Sequence, residues 1–278
     1  MRDRPHPIPS PRISLPSEFI VLLPENSLAV RLARGESVNV CAVGRILHHN
    51  LVQMLAMSGT FQGFWFDMEH TDFATADLEI AILAARAHGC DSFVRMPLTN
   101  YAAVTRVLEA GAGGVMAAQI RTVDEAREFV RWAKFAPIGV RGLNTMGYDA
   151  DFGKLAAKDF LVRANQRSYV AIQIETVDAL ECVEQIAALE GVDFLFVGPA
   201  DLSVNLGVPG DFLNPKCRAA LERVGKACRA NGKTWGVVPF GPEHTKLCVD
   251  NGCRMLSIAA DVRVVNLGLA ALAAQING

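Results

Sequence analysis

Short apolar runs alternate with amphipathic stretches along almost the whole chain, and this alternation constrains the fold more than any other feature of the sequence. The runs fall at 38–43, 63–66, 92–94, 114–117, 169–174, 193–197, 235–238 and 255–259. Continuous apolar runs of this length belong to parallel strands buried on both faces. Between them lie stretches with helical spacing, at 50–57, 75–88, 102–110, 178–189, 216–230, 243–251 and 261–276, each set between turn-forming residues. A further helix follows Thr122-Val123-Asp124-Glu125, which has the spacing of a capping box, and places Val123, Ala126, Val130 and Ala133 on one side. Strict strand–helix alternation implies parallel strands joined by right-handed crossovers. Eight such units close a barrel filled by its own side chains, so the expected fold is an α/β protein, a (β/α)8 barrel. The main alternative is an open, doubly wound sheet. No Gly-x-Gly-x-x-Gly or Walker-type loop supports it, and Gly111-Ala112-Gly113-Gly114 reads as a helix stop and tight turn.

The remaining segments organise around this core. Residues 1–25 form an N-terminal arm rich in proline (Pro5, Pro7, Pro9, Pro11, Pro16), and residues 26–278 form one barrel domain that begins with a short helix at 26–35. Residues 136–165 and 205–215 read as long connections, and loops of the first length in a compact domain are usually functional or disordered. The phrase Gln119-Ile120-Arg121-Thr122-Val123-Asp124 returns as Gln173-Ile174-Glu175-Thr176-Val177-Asp178, which supports the same strand–turn–helix geometry at both places.

Composition excludes several function classes. The 278 residues carry 27 basic and 29 acidic side chains, a balance that leaves no electrostatic footprint for nucleic acid. No apolar run approaches the ~20 residues of a membrane helix. Seven scattered cysteines, without a Cys-x-x-Cys pair, fit a reduced cytoplasmic protein.

The informative polar residues stand where the apolar runs stop. Asp67, Glu69 and His70 follow the second run, and Arg95 ends the third. Glu175 follows the fifth, with Gln173 two residues before it, and Asp201 follows the sixth in Gly198-Pro199-Ala200-Asp201. In a barrel all these strand ends open on one face, where chemistry is done. Acids on consecutive strands stand roughly 5 Å apart, a spacing at which two carboxylates repel unless a cation lies between them or they share a proton. Glu175 and Asp201 therefore read as ligands of a hard divalent ion, Mg²⁺ or Mn²⁺ with Co²⁺ a further candidate; the competing reading is that each caps the helix behind it. The chemistry that fits is metal-assisted enolate formation from a 2-oxo acid. Arg95 would stabilise the enolate oxygen, His70 oriented by Asp67 would move the proton, and the backbone N–H groups around Ala200 would take a substrate carboxylate.

Phe66-Asp67-Met68-Glu69-His70, Val94-Arg95-Met96-Pro97, Gly139-Val140-Arg141-Gly142, Gln173-Ile174-Glu175 and Gly198-Pro199-Ala200-Asp201-Leu202-Ser203 together resemble the HpcH/HpaI family of class II pyruvate aldolases, in order from about residue 26 to the C-terminus. The resemblance implies a modified (β/α)8 barrel, assembled as a homo-oligomer, a hexamer built from dimers that exchange their last helix. It implies cleavage of a 4-hydroxy-2-oxo acid into pyruvate and an aldehyde, with Glu175 and Asp201 as metal ligands. At matching positions Arg95 and the His70–Asp67 pair are catalytic, and Gln173 contacts bound water and pyruvate. The chain departs from the family pattern at Met68, which replaces a glycine, and after the first strand, where Val43-Gly44-Arg45 and His48-His49 stand in place of an aromatic and small hydroxyl residues. That segment lines the substrate mouth in the family. The alternatives are another lyase on the same site, an oxaloacetate decarboxylase resembling macrophomate synthase or an acyl-CoA lyase, and a non-catalytic barrel.

Overall fold

Eight parallel strands hydrogen-bond in chain order and the last returns to the first, closing a barrel. The computed structural model describes residues 26–277, so the expected proline-rich arm lies outside the described residues. The strands are β1 (Val38–Val43), β2 (Gly63–Asp67), β3 (Asp91–Pro97), β4 (Gly114–Ala118), β5 (Tyr169–Ile174), β6 (Phe194–Val197), β7 (Thr234–Val237) and β8 (Cys253–Ala260). Helix α1 (Leu28–Ala33) lies ahead of them. The helices behind the strands are α2 (His49–Met57), α3 (Thr75–Arg86), α4 (Tyr101–Glu109), α5 (Val123–Ala133), α6 (Ala157–Arg167), α7 (Val177–Glu181), α8 (Val183–Ala188), α9 (Pro199–Asn205), α10 (Pro215–Ala230), α11 (Gly241–Asp250) and α12 (Asp261–Asn277).

Strand side chains alternate between two faces, and this sorts the core into two shells. Val38, Val40, Trp65, Phe93, Met116, Tyr169, Phe194, Phe196 and Met255 fill the barrel interior. Leu28 and Leu32 of α1 join that cluster from the floor, where the Leu28 N–H donates to Asp91 at 2.8 Å. The alternate residues, among them Val43, Phe64, Phe66, Val94, Ile172, Leu195 and Val197, face outward and pack on the helices. Burial of each such side chain contributes about 2–3 kcal/mol. Gly114 makes the interior possible beside β5, because a Cβ there would sit 2.2 Å from the Tyr169 ring. The same alternation decides the rim. Two residues beyond Trp65 comes Asp67, two beyond Phe93 comes Arg95, and two beyond Ala171 comes Gln173. The interior face of these strands therefore ends in polar groups.

Local signals account for most boundaries. The expected capping box forms in full, with Thr122 and Glu125 each accepting from the other's backbone. Two expectations need correction. The stretch 136–165 is not a featureless connection: it holds a 3-10 turn at Tyr148–Gly153 and leads into α6. Helix α6 buries just Phe160 and Ala164, and its N-cap Ala156 makes no side-chain bond, so neither an apolar stripe nor a cap marks it in the sequence. The helix expected at 178–189 is divided at Cys182, whose backbone leaves the helical region (φ −111°, ψ 20°). No helix among the described residues is long and apolar enough to cross a membrane.

Candidate active site

Arg95 is the centre of the rim. It stands opposite Asp67 in the β2–β3 register. Its Nε donates to Asp67 Oδ1 at 3.0 Å and its Nη2 to Oδ2 at 2.6 Å, a two-pronged pair of the strong kind. Nη1 lies 3.1 Å from Glu69 Oε2, and the guanidinium stacks over the Trp65 ring at 4.8 Å. Trp65 is itself held by its Nε1–H, which donates to Ser257 at 2.8 Å. A guanidinium gripped on two edges and one face has lost its rotational freedom before any substrate arrives. Burial opposes ionisation of Asp67, but the bonds and charge of Arg95, with the N–H groups of Glu69 and His70, outweigh it and hold the carboxyl below its usual range.

Asp67 thus serves Arg95 rather than the imidazole. Its Oδ1 accepts the backbone N–H of Glu69 at 3.0 Å and of His70 at 3.4 Å. The His70 ring is exposed, and its Nε2 lies 3.8 Å from Glu69 Oε2. The expectation that Asp67 orients the His70 ring is corrected: it orients the His70 backbone, and Glu69 is the acid beside the ring.

Glu175 is wholly buried. Its Oε1 accepts the Gln119 N–H at 2.8 Å, and its Oε2 accepts from Gln173 Nε2 at 2.5 Å. Gln119 reaches it from a left-handed backbone (φ 55°), an unfavourable state for a side-chain-bearing residue that turns its N–H inward. Glu175 does not cap the helix behind it; Thr176 does, accepting the Ala179 N–H at 3.0 Å. Burial raises the Glu175 carboxyl from an ordinary 4.5 to about 7, with the charges of Glu69 and Asp201 adding to the rise and the Gln119 N–H and Arg95 opposing it. Gly198 closes the cradle. A Cβ there would lie 2.5 Å from Glu175 Oε2 and 2.6 Å from Gln173 Nε2.

Asp201 stands four residues past β6, in the first turn of α9, and is exposed. Ala200 lies beside it in the turn whose N–H groups have no intrahelical acceptor. Among the described residues no three His, Cys, Asp or Glu side chains form a ready metal cluster. The rim nevertheless fits a hard cation. Asp67, Glu69, Glu175 and Asp201 set four carboxylates against one guanidinium; Gln173 Oε1 is buried without a hydrogen-bond partner, and Glu69 Oε2 is held by its ion pair with Arg95 without a well-aligned hydrogen bond. A cation among oxygen donors would relieve both conditions.

Three supporting residues escape a reading based on strand-end acids in the middle of the chain. Glu69 sits in the Asp67–His70 segment but had no assigned task. Gln119 opens the repeated phrase, yet its conformation departs from that of Gln173. Asp261 follows β8, where the same strand-end rule would have found it; its Oδ2 accepts the N–H groups of Gly44, Arg45 and Ile46 at 3.0, 2.7 and 2.7 Å, pinning the loop after β1.

Comparison with known proteins gives this geometry a lineage. The profile of the HpcH/HpaI aldolase/citrate lyase family matches residues 48–266. The chain is 34% identical over 222 residues to a 4-hydroxy-4-methyl-2-oxoglutarate aldolase of Chaetomium globosum, covering 76% of this chain and 79% of that protein. It is 29% identical over 224 residues to a 4-hydroxy-2-oxo-heptane-1,7-dioate aldolase of Shigella sonnei, covering 80% and 84%. The crystal structure of an HpcH/HpaI aldolase from Desulfitobacterium hafniense superposes with a TM-score of 0.84 at 29% identity, over 90% of this chain and 96% of that one.

Proposed function

The chain belongs to the HpcH/HpaI aldolase/citrate lyase family, and from that premise we propose that it is a divalent-metal-dependent lyase that cleaves, and in reverse forms, 4-hydroxy-2-oxo acids through the enolate of pyruvate. The observation that carries this reading is a buried Glu175 carboxylate crowded by two further acids, in the same recess as an immobilised Arg95. Glu175 and Asp201 would hold the ion, Mg²⁺ or Mn²⁺ with Co²⁺ as a further candidate. When bound, it supplies Lewis acidity to the 2-oxo group.

The protein's own groups do the rest. Arg95 has five N–H donors, of which Asp67 takes two; the others serve Glu69 and the 2-oxo oxygen, where negative charge grows as the bond breaks. His70 takes the proton of the C4 hydroxyl. The C3–C4 bond then breaks, its electron pair moves toward the C2 oxygen to form the enolate, and the aldehyde leaves. A proton delivered to C3 completes pyruvate. Gln173 Oε1, buried and unpartnered, is available to a water or the substrate, and the Ala200 N–H to the substrate carboxylate. The segment carrying Arg45, His48 and His49, pinned by Asp261, meets the aldehyde portion.

The same reading covers organisation. We take residues 26–278 as one catalytic domain in a cytoplasmic homo-oligomer, a trimer of dimers, acting on a small 2-oxo acid and an aldehyde without nucleic-acid or membrane partners. The α12 side chains Leu267, Leu269, Leu272 and Ile276 are 56–84% exposed, which supports a covering partner copy. The test needs no knowledge of the aldehyde: incubate the protein with pyruvate in D₂O and follow the methyl proton signal by NMR. Loss of the signal with Mg²⁺ or Mn²⁺, abolished by a chelator, is expected. A metal-loaded protein that leaves the signal intact refutes enolate chemistry at this site.

A further inference from the structure

At the end of the barrel opposite the rim, a cavity of about 300 Å³ opens between the start of β3, the close of α4, the 3-10 turn and α6. That volume is at the small end of the range for small-molecule sites. Arg86, Arg141, Arg163 and Arg167 line it, against Asp91, Asp149 and Asp151. The three acids are already engaged. Asp91 accepts the N–H groups of Leu28 and Ser92, both at 2.8 Å. Asp149 Oδ2 meets Arg141 at 2.5 Å, and Asp151 Oδ2 meets Arg163 at 2.7 Å.

The arginines are less fully used. Arg86 donates to the Gly111 carbonyl at 3.1 Å and lies over the Tyr148 ring at 5.0 Å, both neutral partners. Arg86 Nε and Arg141 Nε are buried with no acceptor among the described residues. Arg141 is 6% exposed and stacked over Phe135 at 4.8 Å, so it cannot swing out to find one. Partial burial first, and then the neighbouring charges of Arg163 and Arg86, lower the Arg167 pKa, with Asp151 opposing. Asp149 Oδ1 is buried and unpartnered as well, a single acceptor among donors. Forked donors in a shielded recess are the chemistry that recognises carboxylate and phosphate. The lone acceptor asks for one O–H on the same molecule.

We propose that this cavity is a second binding site, for a small oxyanion that also carries a hydroxyl, such as a hydroxy carboxylic acid or a hydrogen phosphate. It is separate from the catalytic rim. Asp91 at the cavity and Arg95 at the rim are four residues apart on β3, about 13 Å along the strand.

The test is isothermal titration of the full chain, in chelator and without pyruvate, with inorganic phosphate and separately with malate. Saturable one-to-one binding of either is expected, and the tighter of the two names the source of the oxyanion. Arg167→Glu and Arg86→Gln should each weaken it tenfold or more, whereas Arg95→Gln should leave it within twofold. Arg167 is exposed, so Arg167→Glu is expected to keep the fold, as circular dichroism would verify. No saturable binding of either probe, binding that both cavity variants leave intact, or loss of binding in a folded Arg95→Gln protein overturns the proposal.

Discussion

Replacing Glu175 with glutamine is expected to stabilise the metal-free protein, although it alters a wholly buried, hydrogen-bonded group. The carboxyl rises from an ordinary 4.5 to about 7 on folding. Between those values the folded chain binds more protons than the unfolded chain, so stability falls as pH rises through this window and stays reduced above it. At about 1.4 kcal/mol per pH unit the penalty at pH 8 comes to about 3 kcal/mol. Glutamine keeps an oxygen for the Gln119 N–H. Its new NH₂ would oppose Gln173 Nε2, but Gln173 can turn its amide and present Oε1, which has no partner now. The assay is urea unfolding in chelator from pH 5 to 8. Wild type should lose about 2.5 kcal/mol relative to Glu175→Gln across that range, most of the full penalty, and the variant should gain no stability from added Mg²⁺ or Mn²⁺, which stabilises whatever binds it in the folded state. The carboxyls of Asp91 and Asp149 are also raised by burial, but they are common to both proteins and cancel in the difference. A variant less stable than wild type at pH 8, or an unchanged difference between pH 5 and 8, would refute the electrostatic account of this site.

Three further changes probe the rim. Arg95→Lys keeps the charge but loses the fork that Asp67 grips, so kcat should fall on the order of 100-fold with metal affinity preserved; an unchanged kcat removes Arg95 from enolate stabilisation. Asp201→Ala removes an exposed carboxylate, so unfolding free energy should change by less than about 1 kcal/mol while calorimetric metal affinity drops tenfold or more; wild-type affinity would show that Asp201 is no ligand. Gly198→Ala puts a methyl group 2.5 Å from Glu175 Oε2 and should push that carboxylate out of place. Its pyruvate deuterium exchange should fall sharply, and full exchange would mean the cradle is looser than its geometry implies.

The parts of this protein legible in its sequence are those set by neighbours along the chain. A strand buried on both faces must be apolar throughout, so all eight strands appear as runs, and a polar residue that ends a run must stand at its tip. Asp67, Arg95, Gln173 and Glu175 could therefore be named without coordinates. Thr122 and Glu125 could be paired because a capping box is contained in four residues. The tertiary structure decided what joins distant positions. Gln119 turns its N–H to a carboxylate 56 residues away, and Asp261 pins a loop 217 residues before it. The transfer of Asp67 from His70 to Arg95 depends on the β2–β3 register, which brings residues 28 apart side by side. The arginine-lined cavity has the same origin: Arg86, Arg141, Arg163 and Arg167 are spread over 82 positions, share no one motif, and converge through the packing of the segments around β3 to β5. Periodicity and capping are local energies that a sequence displays directly. Register and closure emerge from packing the whole chain, and at this rim they determine which acid serves which base.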